Sequence, residues 1–512
     1  MSKLRNLNLY LIVVGVFLRL YQYLWNKSIW HDEASFVLGL KNHSFANLLA
    51  PVPEGSPGGG YAFMFLEKVM LELFGYNELA LRFFPFLASI VSLVLFYFFL
   101  KQYGNRLVTS IAIAYFALSD NLIYYAAEVR SYSIDLLIGL IFLNFSFTYL
   151  KKELTRANAL KLCVVGIIFM WLSHTTIFII AGVGVVFGVD SLLKKDHKRA
   201  RALLLLGLSW IAGFVLFYVF SLQLWKSGQL EAFQKTPMQF IPFPPTSIND
   251  MLQCFIQFFR LFGYMIGLRL SMLGEHIDEL TKLTRPDLMK FSYTNLHIIL
   301  YIALNIIGVA ILFVVGKIKT WQQNRKYYFI LILPILLVMI ASGLDSFPWR
   351  GRFLLFMFPL LIILMAEGVA VIKPKVSKYT WLLILFLLFF HPTVSACYHI
   401  VKPRTLEEVK PLIKYINQKY QEGDKVVIVG SNNWLAFYGK ALKLDLTKAN
   451  VVSDLNKENV NNLINKKRVW FFLITAPNDK RVAVYEGYLN DVGSQEIKFF
   501  ERNNAILYLY TK

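Results

Sequence analysis

Cysteine is scarce. The 512 residues hold three, Cys163, Cys254 and Cys397. They are too few and too scattered for a disulfide framework or a metal site. Internal repeats are missing as well, which counts against a transporter built from two related halves. The first apolar run has no small-residue cleavage site before "WNKSIW", so it reads as a retained signal anchor. Acid is in deficit too: 32 Asp and Glu stand against 53 Lys and Arg, a formal charge of +21.

What is abundant is apolar. Hydrophobic residues make up 56% of the chain and aromatic residues 16%, with a mean hydropathy of +0.51. Soluble domains run at about 45–50%. The apolar residues come in blocks that suit a bilayer, which takes about 20 residues of helix. Spans are expected at roughly 7–25, 79–100, 107–120, 133–150, 160–173, 175–193, 202–225, 296–316, 327–343, 352–372 and 380–397, about eleven in all. The chain is therefore expected to be a polytopic α-helical membrane protein.

The basic excess has a pattern. "MSKLR", Lys101 with Arg106, "KKELTRANALK", "KKDHKRAR", "KIKTWQQNRK" and "KPKVSK" each lie before the first span or between two spans. With these spans they all fall on one side, and the positive-inside rule makes that side cytoplasmic. The charge is topological and calls for no nucleic acid. The stretch "YAFMFLEKVMLELF", 61–74, is short and carries Glu67, Lys68 and Glu72. Crossing there would turn every later basic loop outward, so it reads as an interfacial helix. The first outer loop then runs from about 26 to 78, and a second long outer segment from about 226 to 295. The apolar part of that second segment, "MLQCFIQFFRLFGYMIGLRL", is assigned to the interface or the protein core.

From residue 398 to 512 the composition turns mixed. "TLEEVKPLIKYINQKY" and "KENVNNLINKKR" have helical spacing, while "DKVVIVGS", "VWFFLITA" and "NAILYLYT" read as strands. This is a small α/β domain after a membrane domain of residues 1–397. An N-terminus in the cytoplasm and an odd number of spans put it outside.

Charged groups at bilayer depth are costly and need a reason. Four clusters project to the outer face. "WHDEASF" offers Asp32 and Glu33 at the lip of the membrane, where a helix cap would need only one acid. "LIYYAAEVRSYSID" offers Glu128, Arg130 and Asp135 with Tyr124, Tyr125 and Tyr132. "ELALRFFP" places Arg82 at the mouth of a span, where snorkelling is the plain alternative. "DSFPWRGRFLLF" sets Arg350 and Arg352 outside, against the inside bias. Guanidinium forks suit phosphate oxygens. Carboxylates suit the activation of a hydroxyl. His31, Glu67 and His174 are weaker candidates, and none suggests a metal site. Chemistry outside the cell has no cytoplasmic nucleotide to draw on, so a donor carried on a lipid phosphate would fit.

The Asp-Glu after the first span, "LRFFP", "YYAAEVRSYS" and the late outer arginine before "FLLFMFPLL" resemble the GT-C membrane glycosyltransferases. The likeness is to the branch of protein O-mannosyltransferases, lipid A aminoarabinose transferase and bacterial transferases of lipopolysaccharide galacturonic acid. It covers residues 7–150 well and 340–372 loosely. It implies an inverting transfer from a polyprenyl-phosphate sugar to a hydroxyl of a lipid, glycan or protein, in a bacterial plasma membrane. By position, Asp32 would be the general base with Glu33 beside it. Glu128 would be a further catalytic carboxylate. Tyr124, Arg130 and Tyr132 would line the donor site, and Arg82, Arg350 and Arg352 would meet the lipid phosphate. No cofactor is implied, and this branch does not generally need a catalytic metal. One departure is "EGSPGGGY", with Ser56, where many members have a lysine or "PPL". The competing readings are a lipid-sugar flippase without chemistry and a polysaccharide polymerase or ligase.

Overall fold

The computed structural model describes residues 2–48, 60–150, 156–219, 238–268, 296–430, 433–438, 450–452, 455–456, 460, 468–474, 480–492, 494–501 and 505–511. Ser56, Gly58 and Gly59 lie outside the described residues. So does most of "KENVNNLINKKR".

Helix α1 (Ser2–Leu24) is followed by two helices of the first loop, α2 (His31–Lys41) and α3 (Tyr61–Phe74). A single turn, α4 (Glu78–Leu81), leads into α5 (Phe83–Tyr103). Next come α6 (Arg106–Leu118), the short α7 (Asp120–Tyr124) and α8 (Tyr132–Leu150). Further helices cover Arg156–Leu172, Thr176–Leu193, His197–Phe217, Ile248–Met265, Leu296–Gln323, Arg325–Gly343, Phe358–Ile372 and Lys378–Val401.

A helix thus stands at each expected span. Among the described residues, eight are long and apolar enough to cross a membrane, and nine if the pair Arg106–Leu118 and Asp120–Ala127, bent by 52°, is one span. Two apolar helices are shorter, Tyr132–Phe145 and Ala157–Leu172. Many of the long helices turn leucine, isoleucine and valine outward, such as Leu204, Leu205, Leu304 and Ile311. Lipid is the solvent that accepts such faces. Helix α3 has the bounds expected of the interfacial segment, and at 14 residues it is too short to cross.

The centre of the bundle is the segment Gly351–Lys375, which is 83% buried over its most apolar window. Its closest neighbour is Leu296–Gln323. A Cβ on Gly316 would sit 1.7 Å from the Leu364 carbonyl oxygen, and one on Gly368 would sit 1.9 Å from that of Leu312. Small residues let two backbones approach this closely. Buried Arg19 ties α1 to the break after α6. It donates to Ser89 Oγ, to the Gly15 carbonyl, and to the Phe116 and Ala117 carbonyls that the end of α6 leaves without helical partners.

The last residues form a five-stranded sheet. Its strands are β1 (Lys425–Val429), β2 (Asn450–Val452), β3 (Val469–Leu473), β4 (Ser494–Glu501) and β5 (Ala505–Thr511), in the order β2-β1-β3-β5-β4. Strand β1 is parallel to β2 and β3, with Val427 opposite Phe471. Strand β5 is antiparallel to β3 and β4. One face of this sheet shares a core with the first loop: Phe36, Phe63, Val129, Trp434 and Trp470 belong to one buried cluster.

Candidate active site

Trp30, in extended conformation, precedes α2, so Asp32 and Glu33 fall in the first turn, where the helix dipole favours acids. Neither acid is the cap. Adjacent residues of a helix point about 100° apart, and the two carboxylates go to different places.

Glu33 turns inward and is fully buried. Arg82 Nε donates to its Oε1 at 3.0 Å and Nη2 to its Oε2 at 2.8 Å, while the Val129 amide donates to Oε1 at 2.7 Å. Arg82 also donates to the Lys27 and Ser28 carbonyls, at 2.7 and 3.2 Å. Burial pushes the Glu33 carboxyl up, but the charges of Arg82 and Lys27 outweigh it and hold the group below its usual range. Expected at the substrate, Glu33 and Arg82 spend their charges on each other. They tie the first loop to the entry of α5 and to the loop before α8. Snorkelling does not describe Arg82 either, because its head group is buried.

Asp32 turns outward. Its side chain keeps 25% of its surface and lies 2.5 Å from Arg352 Nη1, 320 positions along the chain. Arg130 Nη2 donates to the Asp32 backbone carbonyl at 2.6 Å. Burial raises the Asp32 carboxyl, but Arg130 and Arg352 together hold it below its usual value. It is therefore an anion, and a weakly basic one while Arg352 stays.

Glu128 stands within reach of the charges of Lys27, Glu33, Arg352 and Arg130. It is fully buried, and Lys27 Nζ is 3.8 Å from its Oε2, beyond hydrogen-bond range. Burial pushes its carboxyl above the usual range, against the pull of Lys27. Burial likewise lowers the Lys27 ammonium to about 8. Tyr124 lies under two cations: Lys27 Nζ is 3.6 Å and the Arg404 guanidinium 4.1 Å from its ring centroid. Tyr132 packs between Tyr125 and Phe353, with ring centroids 5.1 and 5.8 Å away. That places it beside the turn that carries Arg352.

Several buried polar atoms in this region have no hydrogen-bond partner among the described residues. They are Lys27 Nζ, Trp30 Nε1, Tyr124 Oη, both Glu128 oxygens, Arg130 Nε and Arg352 Nε. Native proteins seldom leave such groups unpaired except where a ligand, ion or water uses them.

Arg350 lines a cavity, and its charge also reaches Asp32, Arg352, Tyr125 and Tyr132. A cavity of about 350 Å³ is lined by Arg350 and Trp349 from the turn, by Gln257, Arg260 and Tyr264 from the helix Ile248–Met265, and by Met238 and Gln239. Tyr264 donates a hydrogen bond to Tyr125 Oη at 2.9 Å, which joins this cavity to the tyrosine cluster. Gly351 is required between the two arginines, because a Cβ there would lie 2.5 Å from the Tyr264 ring.

Sequence reasoning missed Lys27, Arg260, Arg404 and Glu407. The rule that singled out Arg350 and Arg352, a cation on the expected outer side, applies equally to "WNKSIW", "FFRLF" and "KPRTLEE". Of the weaker candidates, Glu67 is buried with both oxygens unpartnered, and burial with the nearby Glu33 charge holds its carboxyl well above the usual range. His174 stacks near Phe217, and burial lowers its imidazole to about 4. Asp135 accepts from Ser131 at 3.3 Å. Among the described residues no group of three His, Cys, Asp or Glu is placed to hold a metal ion.

Comparison with solved structures finds distant likenesses. The chain is similar to an oligosaccharyltransferase from Archaeoglobus fulgidus, AglB, solved with an inhibitory peptide and a dolichol-phosphate. The identity is 11%, 98% of this chain and 74% of that one are covered, and the TM-score is 0.48. It is also similar to ArnT from Cupriavidus metallidurans bound to undecaprenyl phosphate, at 14% identity over 98% and 97% of the two chains, TM-score 0.36. Both TM-scores are below 0.5, and the roles assigned below rest on this chain's own residues. No protein-family model matches the sequence, and no curated protein does either.

Proposed function

We propose that this GT-C-like chain is an inverting glycosyltransferase. It moves a sugar from a polyprenyl phosphate to a hydroxyl of a lipid, glycan or protein at the outer face of a bacterial plasma membrane. The eleven helices would then cross the membrane, with the N-terminus in the cytoplasm and the C-terminal sheet outside. The observation that carries the reading is Asp32: a part-exposed carboxylate bonded to the Arg352 guanidinium, with the charge of Arg130 beside it, and Arg352 stands two residues from Arg350, which lines a cavity.

In the reaction, Asp32 takes the proton of the acceptor hydroxyl. The freed oxygen attacks the anomeric carbon from the face opposite the phosphate. The bond between that carbon and the phosphate oxygen breaks, and its electron pair leaves on the lipid phosphate. Arg350, Arg352 and Arg260 offer guanidinium groups to that charge, a use for which planar forks are suited. Donor phosphate drawn in by Arg350 competes for Arg352 and loosens it from Asp32. The base is thereby strengthened when the donor is in place. Glu128, Lys27, Tyr124, Tyr132 and Arg130 supply the polar lining where the sugar would sit. Glu33 and Arg82 hold the first loop in register.

The test uses purified protein in proteoliposomes and a panel of undecaprenyl-phosphate monosaccharides, with release of undecaprenyl phosphate as the readout. Release that depends on the protein is the expected result. Protein-driven movement of the intact lipid-sugar across the bilayer, with no cleavage of any panel member, would favour a flippase and overturn the proposal.

A further inference from the structure

The residues before Asp32 are held from far along the chain. The Ile29 amide donates to Tyr438 Oη at 2.8 Å, and the His31 amide donates to Glu407 Oε2 at 2.8 Å. These partners are 409 and 376 positions away. Between them, Ser28 donates to Glu408 through its amide at 3.2 Å and its hydroxyl at 3.0 Å. The same hydroxyl accepts the Val409 and Lys410 amides, each at 3.1 Å. Tyr438 is itself braced by Glu78, to which its hydroxyl donates at 2.7 Å. So three successive anchor points, at residues 28, 29 and 31, face either the linker after the last long helix or the first βα unit of the sheet.

A loop free of these contacts would leave its amides to water and sample many conformers. A misplacement of about 1 Å at a reacting group can cost roughly a hundredfold in rate. We propose that the C-terminal unit is a positioning clamp for Asp32: Glu407 and Tyr438 occupy the His31 and Ile29 amides and so hold Asp32 against Arg352. This gives the appended sheet a place in catalysis, and it rests on Asp32 being the base. Burial raises the Glu407 carboxyl to about 7, with Asp32 and Glu33 adding to the rise and the His31 amide opposing it. The hydrogen bond to His31 does not need the charge, because a neutral amide oxygen can also accept it.

The experiment uses the full chain in proteoliposomes and compares Glu407→Ala, Glu407→Gln and Tyr438→Phe. Hydrogen exchange of the Ile29 and His31 amides is read first, since it needs no substrate. Glu407→Ala is expected to speed His31 exchange, and Tyr438→Phe that of Ile29, each by about tenfold or more. Glu407→Gln is expected to restore most of the protection. For turnover of an undecaprenyl-phosphate sugar, kcat should fall about tenfold in Glu407→Ala and in Tyr438→Phe. Affinity for undecaprenyl phosphate should not fall, because Glu407 and Tyr438 do not line the phosphate cavity and a loosened Asp32 leaves Arg352 free for the phosphate. Unchanged exchange in Glu407→Ala and Tyr438→Phe overturns the clamp. Parallel loss of kcat and of lipid-phosphate affinity overturns the positioning role and leaves only general stability. If Asp32→Asn keeps full activity while the exchange results hold, the base assignment fails and the clamp stands as a structural contact alone.

Discussion

Replacing Glu33 with Gln tests the buried frame of the site. The change keeps shape and removes one charge, and it leaves the Arg82 guanidinium fully buried against a neutral amide. Glu33 now accepts two hydrogen bonds from Arg82 and one from the Val129 amide, all within 3.0 Å. Breaking a buried pair from one side typically costs about 3–5 kcal/mol, most of it the penalty of the stranded charge. Arg82→Met should cost a similar amount for the converse reason. The double variant Glu33→Leu with Arg82→Met strands no charge and should recover much of the loss, since apolar replacements of buried pairs are often near neutral. The assay is survival of the monodisperse peak after graded heating in detergent, with Glu33→Leu also made alone so that it, Arg82→Met and the double variant close a double-mutant cycle. The pair also fixes a pH dependence. The folded Glu33 carboxyl titrates below its usual value. Its contribution is therefore present above the unfolded carboxyl range, near pH 4.3, and is lost as pH falls through the lower folded value. Single variants that each lose less than about 1 kcal/mol would refute the reasoning, because no exposed pair should be worth more than that.

The arginines of the turn answer to different measurements. At least one of Arg350→Lys and Arg352→Lys should slow donor-dependent turnover tenfold or more, about 1.4 kcal/mol in transition-state stabilisation, with insertion unchanged; two wild-type rates would make them interfacial anchors. Topology is open to test without a substrate: a C-terminal tag should report outside, and one in "KKDHKRAR" should report cytoplasm. A cysteine placed at residue 101 should resist an impermeant thiol reagent in intact cells.

Bilayer physics made the helices legible. Each expected span carries an apolar run, and each such run is helical in the structure, the state that satisfies backbone groups within one segment. The helix 61–74 was legible as too short and too charged to cross, because Glu67, Lys68 and Glu72 make a crossing expensive. The strands "DKVVIVGS", "VWFFLITA" and "NAILYLYT" were readable as apolar runs, whereas β2 and β4, the edges of the sheet, lack such a run and escaped. The site was legible in its residue types and opaque in its pairings. Nothing local marks Glu33 as the partner of Arg82, 49 positions on, or Asp32 as the partner of Arg352, 320 positions on. Adjacent acids looked like a working pair, yet a helical turn sends one into the core and the other to the surface. Lys27 was overlooked because a lone lysine beside a span usually snorkels, and here it is buried against Glu128 and Tyr124.

The central claim is that Asp32 is the base. The most direct measurement is turnover of an undecaprenyl-phosphate sugar at saturating acceptor by Asp32→Asn, with Asp32→Glu beside it and folding checked by the monodisperse peak. Asparagine is close in size and keeps one carbonyl oxygen for Arg352, so the turn should hold. The account predicts a loss of roughly a hundredfold or more in kcat for Asp32→Asn and partial activity for Asp32→Glu. A folded Asp32→Asn protein that turns over at the wild-type rate would contradict it.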